Sequence, residues 1–576
     1  MTVATQSISI SAPSFRGLNN QQTGALLSME WASEALNCAF DQQGRLGSRK
    51  GWIKANTTAI SGAPDILRVH ELILDNGIST IISAGGNKLY SGTTAPADKT
   101  GTSITTPTGS KWKFVNLNGD VIAAQEGHHP IFWDGGVGNF ERLYDKQTLR
   151  ANSTAYSVGD VVRVAGAAGT VYWHCTTGGT TAAADPGLST TVGAATVDGT
   201  VTWTTRAFPV NGNTALSAFG RLWITDDNET TIYYSDLLQP WKFSGGTAGS
   251  LSLVSVWTHG MDTITALTEY NGRLVIFGRK SITLYQGADT PSTMTKEEQI
   301  TDTGCIARDT VQHVGAMLLF LSDSGLHSLE RAIQAGSLPF FDLSKNVRNG
   351  VEALIAAESD TLNGITSVYH EPEGFYLLTF ISSGNTYCFD VKYPLEDGSL
   401  RTTTWSGIAP RGMISTRDRK LYMGFSGGFL GYYSGYTDNA ATYGLTYFTA
   451  WSDLSAHAGS RELAGLLLER IKIPKRVGVV VQAPSGATLT LKIQYDYFGD
   501  VLTGISSSSY GTNVAEFNVS EFNVAEFSGG DARGSLSFPG RGSGKVLRIG
   551  LSYTSVSDKI SFQQINMLAK IGRQAV

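Results

Sequence analysis

Charge is what this sequence has least of. Asp, Glu, Lys and Arg make up 16% of its 576 residues, against a usual share of about 25%. The net charge of −5 argues against a nucleic-acid reader, which needs a basic stripe to displace counterions. A weakly acidic wall repels phosphate, however, and lets a duplex slide past without sticking. Cysteine is scarce too. Cys38, Cys175, Cys305 and Cys388 stand far apart with no CxxC or metal-ligand spacing, so they read as core residues in a reducing compartment. No apolar run approaches the roughly 20 residues of a membrane span. The first residues lack the basic and apolar regions of a secretory signal, and a soluble chain made in the cytosol is expected.

What the chain does have is glycine (66 residues) and a 41% hydrophobic share, with Ser, Thr and aromatics throughout. That mixture indicates many short strands joined by tight turns. A surface so poor in charge also suits a protein covered by neighbouring subunits. The strands recur in a unit of strand, turn, strongly apolar strand, turn and aromatic strand. The first turns of seven such units fall at Asn76-Gly77, Asn118-Gly119, Gly220, Asn271-Gly272, Gly315, Gly374 and Arg419. Each third strand is KLY, IFW, TIYY, ITLY, GLHSL, TYCF or LGYY. Successive turns lie 42, 101, 52, 43, 59 and 45 residues apart. All but the 101 match or approach the about 40–50 residues of a propeller blade. Radial packing of such sheets leaves few exposed edges. The expected fold is all-β, with a β-propeller of about seven blades.

Removing Lys146–Arg206 from the long gap leaves one ordinary blade. The excised stretch has its own β-prone runs at Val161–Val164, Val171–Cys175 and Val201–Trp203, and is expected to be a small module inserted in a blade loop. Asn37–Trp52, polar and glycine-punctuated, is expected to belong to an extended arm, one strand of which closes the ring. After about Thr437 the blade pattern ends. Val477–Gln482, Thr488–Tyr497, Val546–Tyr553 and Lys559–Ile571 predict a β-sandwich. Three tandem N-V-x-E-F copies from Asn513 to Phe527 fit neither helix nor strand and read as a duplicated loop or hairpin tip. The expected division is an N-terminal arm (1–60), a propeller (61–440), a module within it (147–206) and a C-terminal sandwich (441–576).

Candidates for chemistry are few, and each has a plainer reading. Asp323-Ser324-Gly325 is one incomplete Asp box of the sialidase type. Gly424-Phe425-Ser426-Gly427-Gly428 has the G-x-S-x-G form, but strand-like flanks where a nucleophile elbow needs a following helix. His128-His129 are adjacent, so on a strand they would point to opposite faces, with only Glu126 near in sequence. Gly542-Ser543-Gly544-Lys545 resembles the end of a P-loop, yet Val546 stands where the magnesium-holding hydroxyl should be. Asp226, Asp227 and Glu229 form an acidic turn. Tyr172, Trp173 and Trp203 either stack sugar rings as an aromatic platform or fill the core of the small module. No catalytic residue, metal site or cofactor is expected, and the chain is read as no enzyme.

The order of the remaining motifs resembles the tail nozzle or hub proteins of short-tailed bacteriophages, the tail tubular protein B or head-completion stabilisation family. The resemblance begins with Asn37 followed by Gly44-Arg45-Leu46-Gly47-Ser48-Arg49-Lys50-Gly51, similar to that family's "N…G-x-L-x-x-R-x-G" passage. It runs on through Phe219–Trp223, Ile232–Asp236, Asn271–Gly278, Ser281–Tyr285 and Gly304-Cys305-Ile306-Ala307. It ends with Phe562-Gln563-Gln564-Ile565 and Ile571-Gly572-Arg573. The inserted module and the N-V-x-E-F triplet depart from the family pattern.

The resemblance implies a virion structural protein made in the host cytoplasm and placed in the tail. Six copies would form a ring below the portal and adaptor proteins, carry tail fibres and a tail tip, and give DNA passive passage during ejection. The alternative expectation is a receptor-binding adhesin or spike whose inserted module binds glycan. Whichever holds, the module is dispensable to its blade. Deletion of residues 147–206 is expected to leave one cooperative thermal transition, and loss of that cooperativity would contradict the insertion.

Overall fold

A computed structural model describes residues 5–11, 14–22, 27–41, 43–102, 104, 111–257, 260–330, 340–455, 464–465, 467–468, 470–483, 487–499, 502–507, 532–556 and 558–574. The N-V-x-E-F triplet at 513–527 lies outside them. The chain is all-β, a seven-bladed propeller with a small inserted module and a C-terminal sandwich.

Blade 1 comprises Ile66–Ile73, Ser79–Gly85, Lys88–Ser91 and Ala97–Asp98. Its strands lie side by side in chain order, the first innermost and the last outermost. Blades 2 to 6 repeat this pattern, with inner strands Lys113–Leu117, Ala215–Ala218, Ile264–Tyr270, Gln312–Val314 and Ile365–His370. Blade 7 takes its first three strands from Gly412–Ser415, Leu421–Gly424 and Leu430–Tyr433, and its outer strand, Trp52–Lys54, from the chain's beginning. Pairing the two distant segments closes the ring.

All seven turns read from the sequence join the first and second strands of a blade. These hairpins need left-handed backbone to follow the strand twist. Asn118 and Gly119 have φ of 56° and 79°, and Asn271 and Gly272 of 51° and 73°. Second strands such as Arg273–Gly278 and Met317–Ser322 read almost wholly apolar because both sheet faces are covered. Alternate side chains go to opposite neighbours: Leu274 and Ile276 pack towards blade 3, Val275 and Phe277 towards blade 5. One apolar cluster of this kind lies between every pair of adjacent blades, including Ile66, Val69 and Leu430 where blade 1 meets blade 7.

The module occupies the connection from blade 2 to blade 3, with its main sheet built from Thr148–Leu149, Val161–Arg163, Val171–Thr177, Ala195–Asp198 and Val201–Ala207. Tyr172 points out of it, into the propeller's Tyr144, Phe208 and Phe243. The next residue, Trp173, faces the module's own core.

The stretch expected to be an N-terminal arm, 1–60, is divided between the two large domains. Thr5–Ser11, Trp31–Leu36, Cys38–Phe40 and Leu46–Ser48 are strands of the sandwich, while the strand Trp52–Lys54 belongs to the propeller. One sandwich sheet centres on Ser561–Gln574, which pairs with Thr5–Ser11, Arg470–Ala483 and Leu46–Ser48. The other runs from Trp31–Leu36 through Tyr443–Thr449 and Leu547–Ser555 to Thr488–Tyr495 and Leu502–Ser507. Leu36 also pairs with Thr404 on the outer strand of blade 6, so blade and sandwich share one continuous sheet.

Candidate functional site

The aromatic platform does not exist. Tyr172 and Trp173 are 2% exposed and Trp203 is 0% exposed, so none offers a ring face to a sugar. Their polar atoms are turned inward as well. Trp173 Nε1 donates to the Ser189 carbonyl at 2.8 Å. Trp203 Nε1 donates to Asp198 at 3.0 Å, and Arg150 grips the same buried carboxylate with two hydrogen bonds of 2.8 Å. A domain of some 60 residues has little apolar material to spare, and these three rings are its core and its dock.

The other candidates are dispersed. Asp323 and Ser324 form the turn between Met317–Ser322 and Gly325–Leu329, where Ser324 Oγ lies 2.8 Å from His327 Nε2. Gly427 and Gly428, both left-handed, make a hairpin turn. His129 Nδ1 sits 3.1 Å from the Pro209 carbonyl, while His128 packs near Trp112. Asp226 accepts the backbone N–H groups of Thr230 and Thr231 and so shapes its own turn. The Lys545 and Val546 N–H groups donate to Asp496, which makes the P-loop-like stretch a turn before a strand. Among the described residues no three His, Cys, Asp or Glu side chains are grouped to hold a metal. The four cysteines are buried and unpaired.

Instead, the structure gathers polar groups at two places. The first is around Arg49, whose side chain is 0% exposed. All five of its N–H groups donate: Nε to Asn37 Oδ1 at 3.0 Å, and the guanidinium nitrogens to the Lys50 and Ser406 carbonyls and to both Asp438 oxygens at 2.7–2.9 Å. Its guanidinium carbon lies 4.1 Å from the Tyr443 ring centre, and the Tyr443 hydroxyl donates to the Arg49 carbonyl. Asn37, held at φ 56°, bonds Ser406 and the Gly444 carbonyl. Next to this knot a Cβ at Gly51 would overlap the Thr437 carbonyl, so only glycine fits. The ring-closing strand, blade 6 and the sandwich therefore meet at one arginine. A cleft of about 400 Å³ opens beside it, with its charges paired as Arg45–Asp41, Lys50–Glu373 and Lys392–Asp390.

The second place is the propeller axis. The short 3₁₀ turn Arg308–Thr310 precedes blade 5. From it Arg308 donates to the Asn213 and Trp112 carbonyls before blades 3 and 2. Asp309 Oδ1 lies 3.2 Å from both Arg308 Nε and Arg68 Nη1 of blade 1. Lys111, before blade 2, reaches the Ile365 carbonyl of blade 6 at 2.9 Å. Contacts between blades this far apart in the ring can only cross its axis, so the axis is closed at this level. All four side chains are buried. Burial works to raise the Asp309 carboxyl, but Arg308, Arg68 and Lys111 outweigh it and hold the group far below its usual range. Burial pushes Lys111 down to about 8, and burial together with repulsion from Arg68 pushes Lys113 down to about 7.

Around this centre, histidines tie neighbouring inner strands together. His70 Nε2 lies 3.0 Å from Asn116, Thr268 lies 3.0 Å from His313 Nε2, and His370 Nδ1 lies 3.0 Å from Ser415. The partners are separated by 46, 45 and 45 residues, which is one blade. The signal was in the sequence: a histidine on the first strand of a blade, with a polar residue one repeat away.

No family model matches the chain, and no curated protein does. Solved structures with some likeness include YCF48 from Cyanidioschyzon merolae, at 9% identity and a TM-score of 0.34, over 66% of this chain and 98% of that one. The Neurospora crassa Pan2 WD40 domain matches at 7% and 0.32, over 67% and 95%. Apo AztD from Citrobacter koseri matches at 12% and 0.30, over 60% and 90%. At these values the likeness carries no argument about function, and the propeller stands on its sheet order.

The histidine ties make the ring acid-sensitive. Burial holds His70 and His370 down to about 4, below the roughly 6.5 of an unfolded chain. The unfolded state thus binds more protons between those values, and stability falls as pH drops from about 6.5 towards 4. For the buried His370 the loss by pH 5 is about 2 kcal/mol. Urea unfolding at pH 7 and pH 5 should show this loss, and a His70→Gln/His370→Gln variant should show a smaller one. Equal losses in both proteins would contradict the assignment.

Proposed function

We propose that the chain is a structural virion protein of a short phage tail. Six copies form a nozzle ring that gives DNA a path and a platform for adaptor, fibres and tip. The observation that carries this reading is where three of the nozzle-like passages lie. Asn37 and Arg49 form the knot joining ring closure to sandwich, with Gly51 beside it and Leu46 in the sandwich core. Gly304-Cys305-Ile306-Ala307 leads into the turn that closes the axis, with Cys305 Sγ bonded to the Ala307 carbonyl. Phe562-Gln563-Gln564-Ile565 lies in the central strand of a sandwich sheet. Passages that define a shared architecture are expected at such joints, whereas a shared chemistry would gather them in a pocket.

The closed axis adds a constraint. DNA does not run through the propeller of one subunit, so its path lies between subunits, along surfaces of a chain whose net charge is −5. A block whose propeller and sandwich share a continuous sheet suits a ring that must hold its bore open. The adhesin reading has lost the aromatic platform that motivated it.

Native mass spectrometry and electron microscopy of the purified chain, alone and mixed with portal–adaptor complexes, test the proposal. A six-fold ring with its channel between subunits is the expected result. A stable monomer that fails to join portal–adaptor complexes would overturn it.

A further inference from the structure

We propose that the charged cluster on the propeller axis is a binding site for a small tetrahedral oxyanion that keeps a proton, of which hydrogen phosphate is the simplest. Four cations, Arg68, Lys111, Lys113 and Arg308, meet a single buried carboxylate, Asp309. Unbalanced charge taken out of water costs several kcal/mol per ion, so a region of this kind is stabilised by a counter-charge. The more distant carboxylates Asp360 and Glu229 act on Lys111 and Arg308 only through space.

The unpaired groups define the ligand. Arg68 is 9% exposed, and its Nε has no acceptor. The Lys113 ammonium has no hydrogen-bond partner among the described residues, and the residue is only partly buried. Asp309 Oδ2 is buried without a hydrogen bond, with Lys111 Nζ at 3.8 Å. The cluster therefore asks for a group that accepts at least two hydrogen bonds, carries negative charge and donates one. A protonated phosphate does all three. Sulfate and chloride supply the charge but no donor, and Asp309 repels them. A nucleic-acid phosphodiester likewise carries no proton and is attached to a chain too large for a closed axis.

Calorimetric titration and thermal unfolding of the full chain at constant ionic strength, with inorganic phosphate, sulfate, chloride and a short oligonucleotide, test this. Phosphate should bind saturably and raise the melting temperature, while the other three give no response beyond that of salt. Lys113→Gln, a change at a partly accessible and unpartnered side chain, should weaken phosphate binding about tenfold or more, the loss of one charge-assisted hydrogen bond. In Asp309→Asn the amide can donate where the carboxylate accepted, and sulfate should then bind about as well as phosphate. Equal responses to all the anions, a phosphate response unchanged in Lys113→Gln, or oligonucleotide binding that Lys113→Gln abolishes would each overturn the proposal.

Discussion

The rest of the structure depends on Arg49. A buried guanidinium is tolerable only when its charge and every N–H are matched, and here all five N–H groups and the charge are. The acceptors come from the N-terminal passage, the end of blade 6 and the loop between propeller and sandwich. Each of those segments is irregular, and none could be placed by apolar packing alone. Lysine could not replace it, because a single ammonium cannot reach Asp438 with two parallel bonds while also serving Asn37 and two carbonyls. One side chain therefore fixes three registers, and the strand Trp52–Lys54 that completes blade 7 is delivered from a fixed point.

Closing the ring in this way has a mechanical consequence. A propeller whose last blade pairs strands from both ends of its sequence cannot open without breaking that pairing. The same N-terminal segment is woven into both sheets of the sandwich. The axial turn Arg308–Thr310 braces the centre against blades 1, 2, 3 and 6, so the propeller is held at rim and hub.

The blades were legible because their signals are local. Asn-Gly and Gly turns announce left-handed backbone, and the doubly covered second strands read as unbroken apolar runs. The module was legible as a break in spacing. What stayed hidden depends on long-range placement. Arg68 and Asp309 are 241 residues apart, and the only local hint was a charge inside the apolar run ILRVHELI. The N-terminal strands are short and polar, and nothing in them names a sandwich more than 400 residues away as their partner. Tyr172, Trp173 and Trp203 have the same composition as a sugar platform and as a small core, and only burial separates the two.

One buried arginine couples ring closure to the sandwich. Equilibrium unfolding of Arg49→Lys, followed by hydrogen exchange at Trp52–Lys54 and at the sandwich strands, tests it most directly. A loss of about 3–5 kcal/mol, early exchange at Trp52–Lys54, and separate transitions for propeller and sandwich are expected. A stability within about 0.5 kcal/mol of the parent, with a single shared transition and unchanged protection, would contradict it.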